Sequence, residues 1–379
     1  MKKSLIALAV AGAFAVPSAA MAVDVSFGGE FDLAIDFVDN GNASNSTFNQ
    51  MNNTHSRFWW DMVDDLGTGL MVKGHLELDV GAVGYNGGGA VNQPGAGGVN
   101  NRNSYVGLAG ESWGEVRFGT QENIHEATGY AVDPFHGAAG PGGNIVNGMG
   151  QSGIVGASQV FNGANIGARR TTQTITYISP NWSGFTFQVD YALEGPTAPT
   201  ANKWNELFYG ARYDGQFGNG GWRVYAAGAD ISNAGSIAAL SPTVDMSGIR
   251  AGGGVTFGNF AIDAIWETNE WKDVQPGGNT KIERDGIWVG ASWMVPTGKL
   301  ALGYIMMDDR DVNGASVASS DTSNLSVGYY HTLSANSNLY IIYNAMDNGN
   351  AAAGQIQNTG TVAVGDDPSA LSLGMYLVF

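Results

Sequence analysis

The stretch Ala370-Leu371-Ser372-Leu373-Gly374-Met375-Tyr376-Leu377-Val378-Phe379 stands at the end of the 379-residue sequence. Leu371, Leu373, Met375, Leu377 and Phe379 take every second position, and the residues between them are mostly small or polar. A period of two puts one set of side chains on one face of a β-strand. A tilted strand needs about 9–11 residues to cross a bilayer, which is the length available here. Lipid tolerates such a strand only in a closed barrel, because an open edge leaves backbone groups without partners. The stretch therefore predicts an all-β, transmembrane, antiparallel β-barrel.

The same alternation recurs upstream. Val25, Phe27, Phe31, Leu33, Ile35 and Phe37 share one parity, and Asp24, Glu30, Asp32 and Asp36 share the other. Phe58, Trp60 and Met62 oppose Arg57 and Asp61. Leu70, Val72, Leu76, Leu78 and Val80 oppose Lys73, Glu77 and Asp79. Phe185–Leu193 and Phe260–Trp266 repeat the pattern against Asp190, Asp263 and Glu267. Charges confined to one parity fit a barrel with lipid outside and water inside. Seven short turns, the first near Asp65–Gly69 and the last near Thr332–Ser337, alternate with eight long polar stretches. The first of those stretches reads as Asp39–Thr54, the longest as Glu122–Ala168. That punctuation predicts about 16 strands, enough for a water-filled lumen rather than one plugged by side chains.

Composition agrees. Only 13% of residues are charged, against about 25% in soluble domains. Beyond the N-terminus there is no apolar run of spanning-helix length. The chain has no cysteine, which removes disulfide frameworks and thiolate metal sites. A net charge of −17 disfavours nucleic acid. Met1-Lys2-Lys3, an apolar run from Leu5 to Val16 and the small residues ending Ala20-Met21-Ala22 read as a cleavable secretory signal. Residues 1–22 are thus expected to be a leader, and 23–379 the barrel.

Several segments resemble the trimeric general porins of Gram-negative outer membranes. They are Arg102-Asn103-Ser104-Tyr105-Val106-Gly107-Leu108 with Trp113-Gly114-Glu115-Val116-Arg117-Phe118-Gly119, Tyr177-Ile178-Ser179-Pro180-Asn181-Trp182-Ser183-Gly184-Phe185, Leu333-Ser334-Ala335-Asn336-Ser337-Asn338-Leu339-Tyr340, and the terminal Phe379. The resemblance implies a homotrimer in outer-membrane lipid, one pore per subunit for ions and small hydrophilic solutes, and a third long loop folded into each pore. It also implies an eyelet in which loop acids face an arginine cluster. The matching bases are Arg57, Arg102 and Arg170 or its neighbour Arg169, and the loop acids are Glu122, Glu126 and Asp133. Parity independently points Arg57, Arg117 and Arg170 inward. Arg102 shares parity with Val106 and Leu108, so it needs a bulge to turn in. By parity more acids than bases face the lumen, which predicts weak cation selectivity.

No nucleophile elbow, P-loop or zinc-helix motif is present, so no enzyme and no cofactor are expected. His125, Glu126, Asp133 and His136 are too irregularly spaced for a metal site and read as polar loop. Asp309-Arg310-Asp311-Val312-Asn313-Gly314 copies the start of a calcium loop, with Asp309, Asp311 and Asn313 as weak candidate ligands. The twelfth position is Ser320 where such a loop uses Glu. The alternative to a diffusion channel is a barrel that works by binding, as an adhesin or the sleeve of a larger complex.

Overall fold

A computed structural model describes residues 23–41, 47–81, 99–135, 170–193, 205–232, 244–274, 280–354, 356 and 362–379. The expected leader and residues 136–169 of the longest loop, His136 included, lie outside the described residues. The first half of the chain forms β1 (Asp24–Asp39), β2 (Thr47–Asn53), β3 (Arg57–Asp65), β4 (Leu70–Val80), β5 (Val99–Gly110), β6 (Gly114–Glu122), helix α1 (Ile124–Tyr130), β7 (Arg170–Ile178), β8 (Phe185–Ala192) and β9 (Asn205–Phe217). The second half forms β10 (Gly220–Ser232), β11 (Asp245–Phe257), β12 (Phe260–Lys272), β13 (Ile282–Val295), β14 (Gly298–Met307), β15 (Asp311–Val312), β16 (Ala315–Ser316), β17 (Thr322–Ser334), β18 (Ser337–Asn348) and β19 (Ser369–Val378).

All neighbouring strands pair antiparallel, and β19 returns to β1 from Glu30↔Val378 to Asp39↔Ser369. β2 and β3 pair with the two halves of β1 and together make one stave. β15 and β16 are a small hairpin in the loop after β14. The result is a closed barrel of sixteen staves with seven short turns at one end, as the sequence predicts. The first long polar stretch is shorter than expected, because Thr47–Asn53 is strand.

The faces are inverted relative to a soluble protein. On β1, Ile35 is 46% exposed while its neighbour Asp36 is 0% exposed. Leu373, Met375 and Leu377 are exposed and Ser372 is buried. Apolar side chains facing outward suit lipid, and polar ones facing inward must find partners. They do: Tyr340 donates its hydroxyl to Asp32 Oδ1 at 2.7 Å, and Ser372 donates to Asp36 Oδ1 at 2.7 Å. The chain ends close the seam together. Gly29 and Phe379 exchange two backbone hydrogen bonds of 2.9 and 3.0 Å. The Phe379 ring packs with Phe27, Phe31 and Phe58. A Cβ on Gly29 would come within 2.4 Å of the Phe379 ring, so glycine is what lets the ring cover the seam.

Candidate functional site

The third loop enters the barrel. Asn123 caps α1 by accepting a hydrogen bond from the Glu126 backbone N–H at 2.9 Å, the usual service of an N-cap asparagine. Ile124 packs with Phe208, Ala229 and Ile231 on the inner wall. Val132 packs with Tyr225, Ile265, Trp288 and Ile305. Phe135 reaches Ala34, Ala301, Tyr330 and Ile342. These partners carry the buried parity of their strands, so the described part of the loop crosses the interior along β9 to β18 and then β1. Gly303 and Gly328 make the seat for Phe135: a Cβ on either would stand 3.0 or 3.1 Å from its ring.

A buried ion pair anchors the loop. Arg250 on β11 donates Nε–H to Glu267 Oε2 at 2.6 Å and Nη1–H to the His125 carbonyl at 2.7 Å. Asn269 donates to the other Glu267 oxygen at 2.7 Å. Arg223 donates to the Ala131 carbonyl at 2.8 Å and so ties down the end of the helix. On the opposite wall, the charge of Asp133 acts on Lys299 and Tyr330.

Arg57, Arg102 and Arg170 come from alternate staves, and each stands at an irregularity. Glu30↔Arg57 and Leu33↔Asn53 set four steps of the β2–β3 stave against three of β1. Leu76↔Ser104 and Leu78↔Asn101 set three steps of β5 against two of β4. Gly119↔Thr174 and Gln121↔Thr171 set three steps of β7 against two of β6. An extra residue flips the side-chain alternation, which is how a bulge re-aims a side chain. The bulge in β5 turns Arg102 inward and leaves Val106 outside. Arg102 donates Nε–H to Glu77 at 2.8 Å and Nη1–H to Asp79 at 3.0 Å. Arg57 lies 3.3 Å from Glu77 and 3.5 Å from Glu30. In β7 the bulge leaves Thr171 and Thr174 both buried, so simple parity does not place Arg170. Arg170 instead meets Glu122, directly opposite on β6, at 2.8 Å.

Glu126 faces the same charges. Burial, and then the charge of Glu122, push its carboxyl up to about 8; Arg170, Arg102 and a hydrogen bond with Tyr130 pull the other way. Burial and the nearby Arg250 hold the His125 imidazole down to about 3, and Glu267 opposes them.

Three expectations need correction. Arg117 is apart from the arginine cluster: it donates to Glu115 at 2.6 Å and sits over the Tyr105 ring at 4.4 Å, with Lys73 3.1 Å from the same carboxylate. The loop acids do not act on one arginine wall: Glu122 pairs with Arg170, Glu126 feels the charges of Arg170 and Arg102, and the charge of Asp133 acts on Lys299 and Tyr330. The calcium candidates do not converge. Asp309 Oδ1 accepts backbone N–H groups from Ser320 and Asp321, and Asn313 accepts from Lys281 N–H. Among the described residues no cluster of three His, Asp or Glu suits a metal. One residue escaped the sequence reading altogether. His55, two before Arg57 at the break between β2 and β3, has its Nε2 2.7 Å from Arg57 Nη1.

Comparisons with known proteins agree with this architecture. A family profile described as Gram-negative porin matches residues 7–351. Outer membrane porin protein 32 of Delftia acidovorans is 28% identical over 390 residues, covering 96% of this chain and 95% of that one. An outer membrane porin protein of Bordetella pertussis is 31% identical over 211 residues, spanning 51% of this chain and about half, 48%, of that protein. Among solved structures, the anion-selective porin from Comamonas acidovorans aligns with a TM-score of 0.73 at 22% identity, covering 94% of this chain and all of that one. OmpT of Vibrio cholerae, solved in a trimer form, aligns at 0.66 and 15% identity over 95% of this chain and all of that one.

Proposed function

The chain belongs to the Gram-negative porin family, as an outer-membrane channel and not an enzyme, and on that premise we propose that it forms a trimer whose pores favour small anions. The constriction in this reading is made by Arg57, Arg102 and Arg170 with Glu122 and Glu126.

One observation carries it: acids and bases are unequally presented to the lumen. Arg57 is 21% exposed against 3% for Glu30, Lys73 34% against 10% for Glu115, and Arg223 22% against 6% for Asp263. The exceptions are Asp61 at 48%, Asp79 and Glu122, each more exposed than its partner His75, Arg102 or Arg170, and Asp214, which is as exposed as Arg212. Asp32, Asp36 and Asp190 are buried in the wall and hydrogen-bonded there. Formal charge counted by parity favours cations. What a passing ion meets is the exposed end of each pair, and that end is mostly a guanidinium or an ammonium. The name of the Comamonas porin, anion-selective, accords with this reading.

The test is the reversal potential across a tenfold KCl gradient with purified trimer in a planar bilayer. An anion-selective sign is expected, larger near 0.1 M than near 1 M salt, because the Debye length falls from about 10 to about 3 Å. Arg57→Ala and Arg102→Ala are each expected to move the potential toward cations. A cation-selective wild type would return the decision to the formal charge count.

A further inference from the structure

His55 occupies the extra-residue position of the β2–β3 stave, half-buried as a residue and with its side chain 9% exposed within the arginine cluster. Its Nε2 lies 2.7 Å from Arg57 Nη1 and 3.4 Å from Arg102 Nη2, and its Nδ1 faces Glu30 Oε1 at 3.4 Å. Around it stand Glu30 from β1, Arg57 from β3, Glu77 and Asp79 from β4, and Arg102 from β5. A guanidinium can only donate. Nε2 therefore has to be the acceptor, with its lone pair directed at the guanidiniums. The ring proton then sits on Nδ1, toward the Glu30 carboxylate, and the imidazole is neutral.

We propose that His55 is a positioning residue for ion selectivity, a neutral acceptor that holds the Arg57 and Arg102 guanidiniums side by side at the pore. Two like charges this close repel. Glu77 offsets the repulsion electrostatically by contacting both arginines, but it does so from the β4 side alone. The imidazole gives both guanidiniums a second common partner on the opposite flank. Two flexible side chains thereby become one fixed patch of positive charge. The bulge explains the geometry: without the extra residue at Thr54–Ser56, position 55 would alternate with its neighbours and leave this place. The inference rests on the anion-channel reading and concerns which residue sets the strength of the preference.

The experiment compares His55→Gln with His55→Asn in the full-length channel. A glutamine carries its amide to the place of Nε2, whereas an asparagine reaches only the place of Nδ1. Both are polar and similar in bulk, so a purely structural role would treat them alike. His55→Gln is expected to keep the wild-type permeability ratio. His55→Asn is expected to lower the anion-to-cation ratio about twofold or more at 0.1 M KCl, since a guanidinium freed to swing by a few ångström changes the local potential by that factor. Equal ratios for the two variants would overturn the proposal. A wild type of cation-selective sign would instead overturn the anion reading, and the contrast between Gln and Asn would still report on the bridge. Should His55→Asn not assemble, nitrogen-15 shifts of the wild-type His55 ring decide the matter. A bare Nε2 and protonated Nδ1 are expected; the opposite tautomer refutes the bridge.

Discussion

Arg250→Met is the substitution with the most readable consequence. Arg250 and Glu267 are both buried; Nε and Nη2 of the arginine meet Glu267 Oε2, and its Nη1–H donates to the His125 carbonyl and pins the third loop. Truncating the arginine strands the Glu267 carboxylate, with Asn269 as its remaining hydrogen-bond donor among these groups. Removing one partner of a buried pair costs about 3–5 kcal/mol. The same change deletes a charged hydrogen bond to the loop backbone, itself worth about 1.5–3 kcal/mol and part of the same total. The double variant Arg250→Met with Glu267→Gln leaves no buried charge and keeps an amide for Asn269. It is expected to lose only about 1–2 kcal/mol, the scale of a neutral hydrogen bond. The assay is urea unfolding of the barrel in lipid vesicles at pH 8. His125 stays neutral at that pH and cannot replace the lost cation. Single-channel traces read the loop directly: both variants are expected to show noisier open currents than wild type, because the carbonyl anchor is gone in each. A double variant at least as unstable as the single would refute the buried-charge argument.

Three further outcomes follow from the geometry. Leu373→Arg faces lipid and is expected to lower barrel stability by about 2–4 kcal/mol in the same unfolding assay; an unchanged midpoint would contradict the assigned face. Glu126 keeps a proton in the folded barrel that its ordinary value of 4.5 would have released, so the folded state loses stability as pH rises from there through about 8. Relative to Glu126→Gln, the wild type is expected to lose up to about 1.4 kcal/mol per pH unit in that window, and parallel pH profiles would refute the burial of that carboxyl. The intact mass of the outer-membrane form is expected to match a chain starting at Val23, and a mass retaining Met1–Ala22 would refute the leader.

The alternation along β1, β4 and β19 was sufficient to assign the faces, because a strand crossing from lipid to lumen repeats every two residues however it is packed. The arginine cluster was only partly legible. Arg57 could be placed by parity, and Arg102 could be placed by resemblance alone. The reason is that one inserted residue reverses the parity of everything beyond it, and periodicity cannot locate the insertion. His55 left no signal beyond its spacing from Arg57, since its partners lie on three other strands.

Charge balance shows the same division. Which residues carry charge, and on which face of an unbulged strand, is written in the order of residues and needs only backbone geometry. Which end of each ion pair meets water is not: it depends on side chains of differing length, anchored on separate staves at particular heights. Glu30, Glu115 and Asp263 tuck against the wall beneath Arg57, Lys73 and Arg223, whereas Asp79 and Glu122 stand clear of Arg102 and Arg170. Sequence alone therefore determined the barrel, its stave count and its two faces. Only the closed tertiary structure decided where the third loop is pinned, which arginines meet, and which charge an ion encounters, because each of those depends on register between strands far apart in the chain.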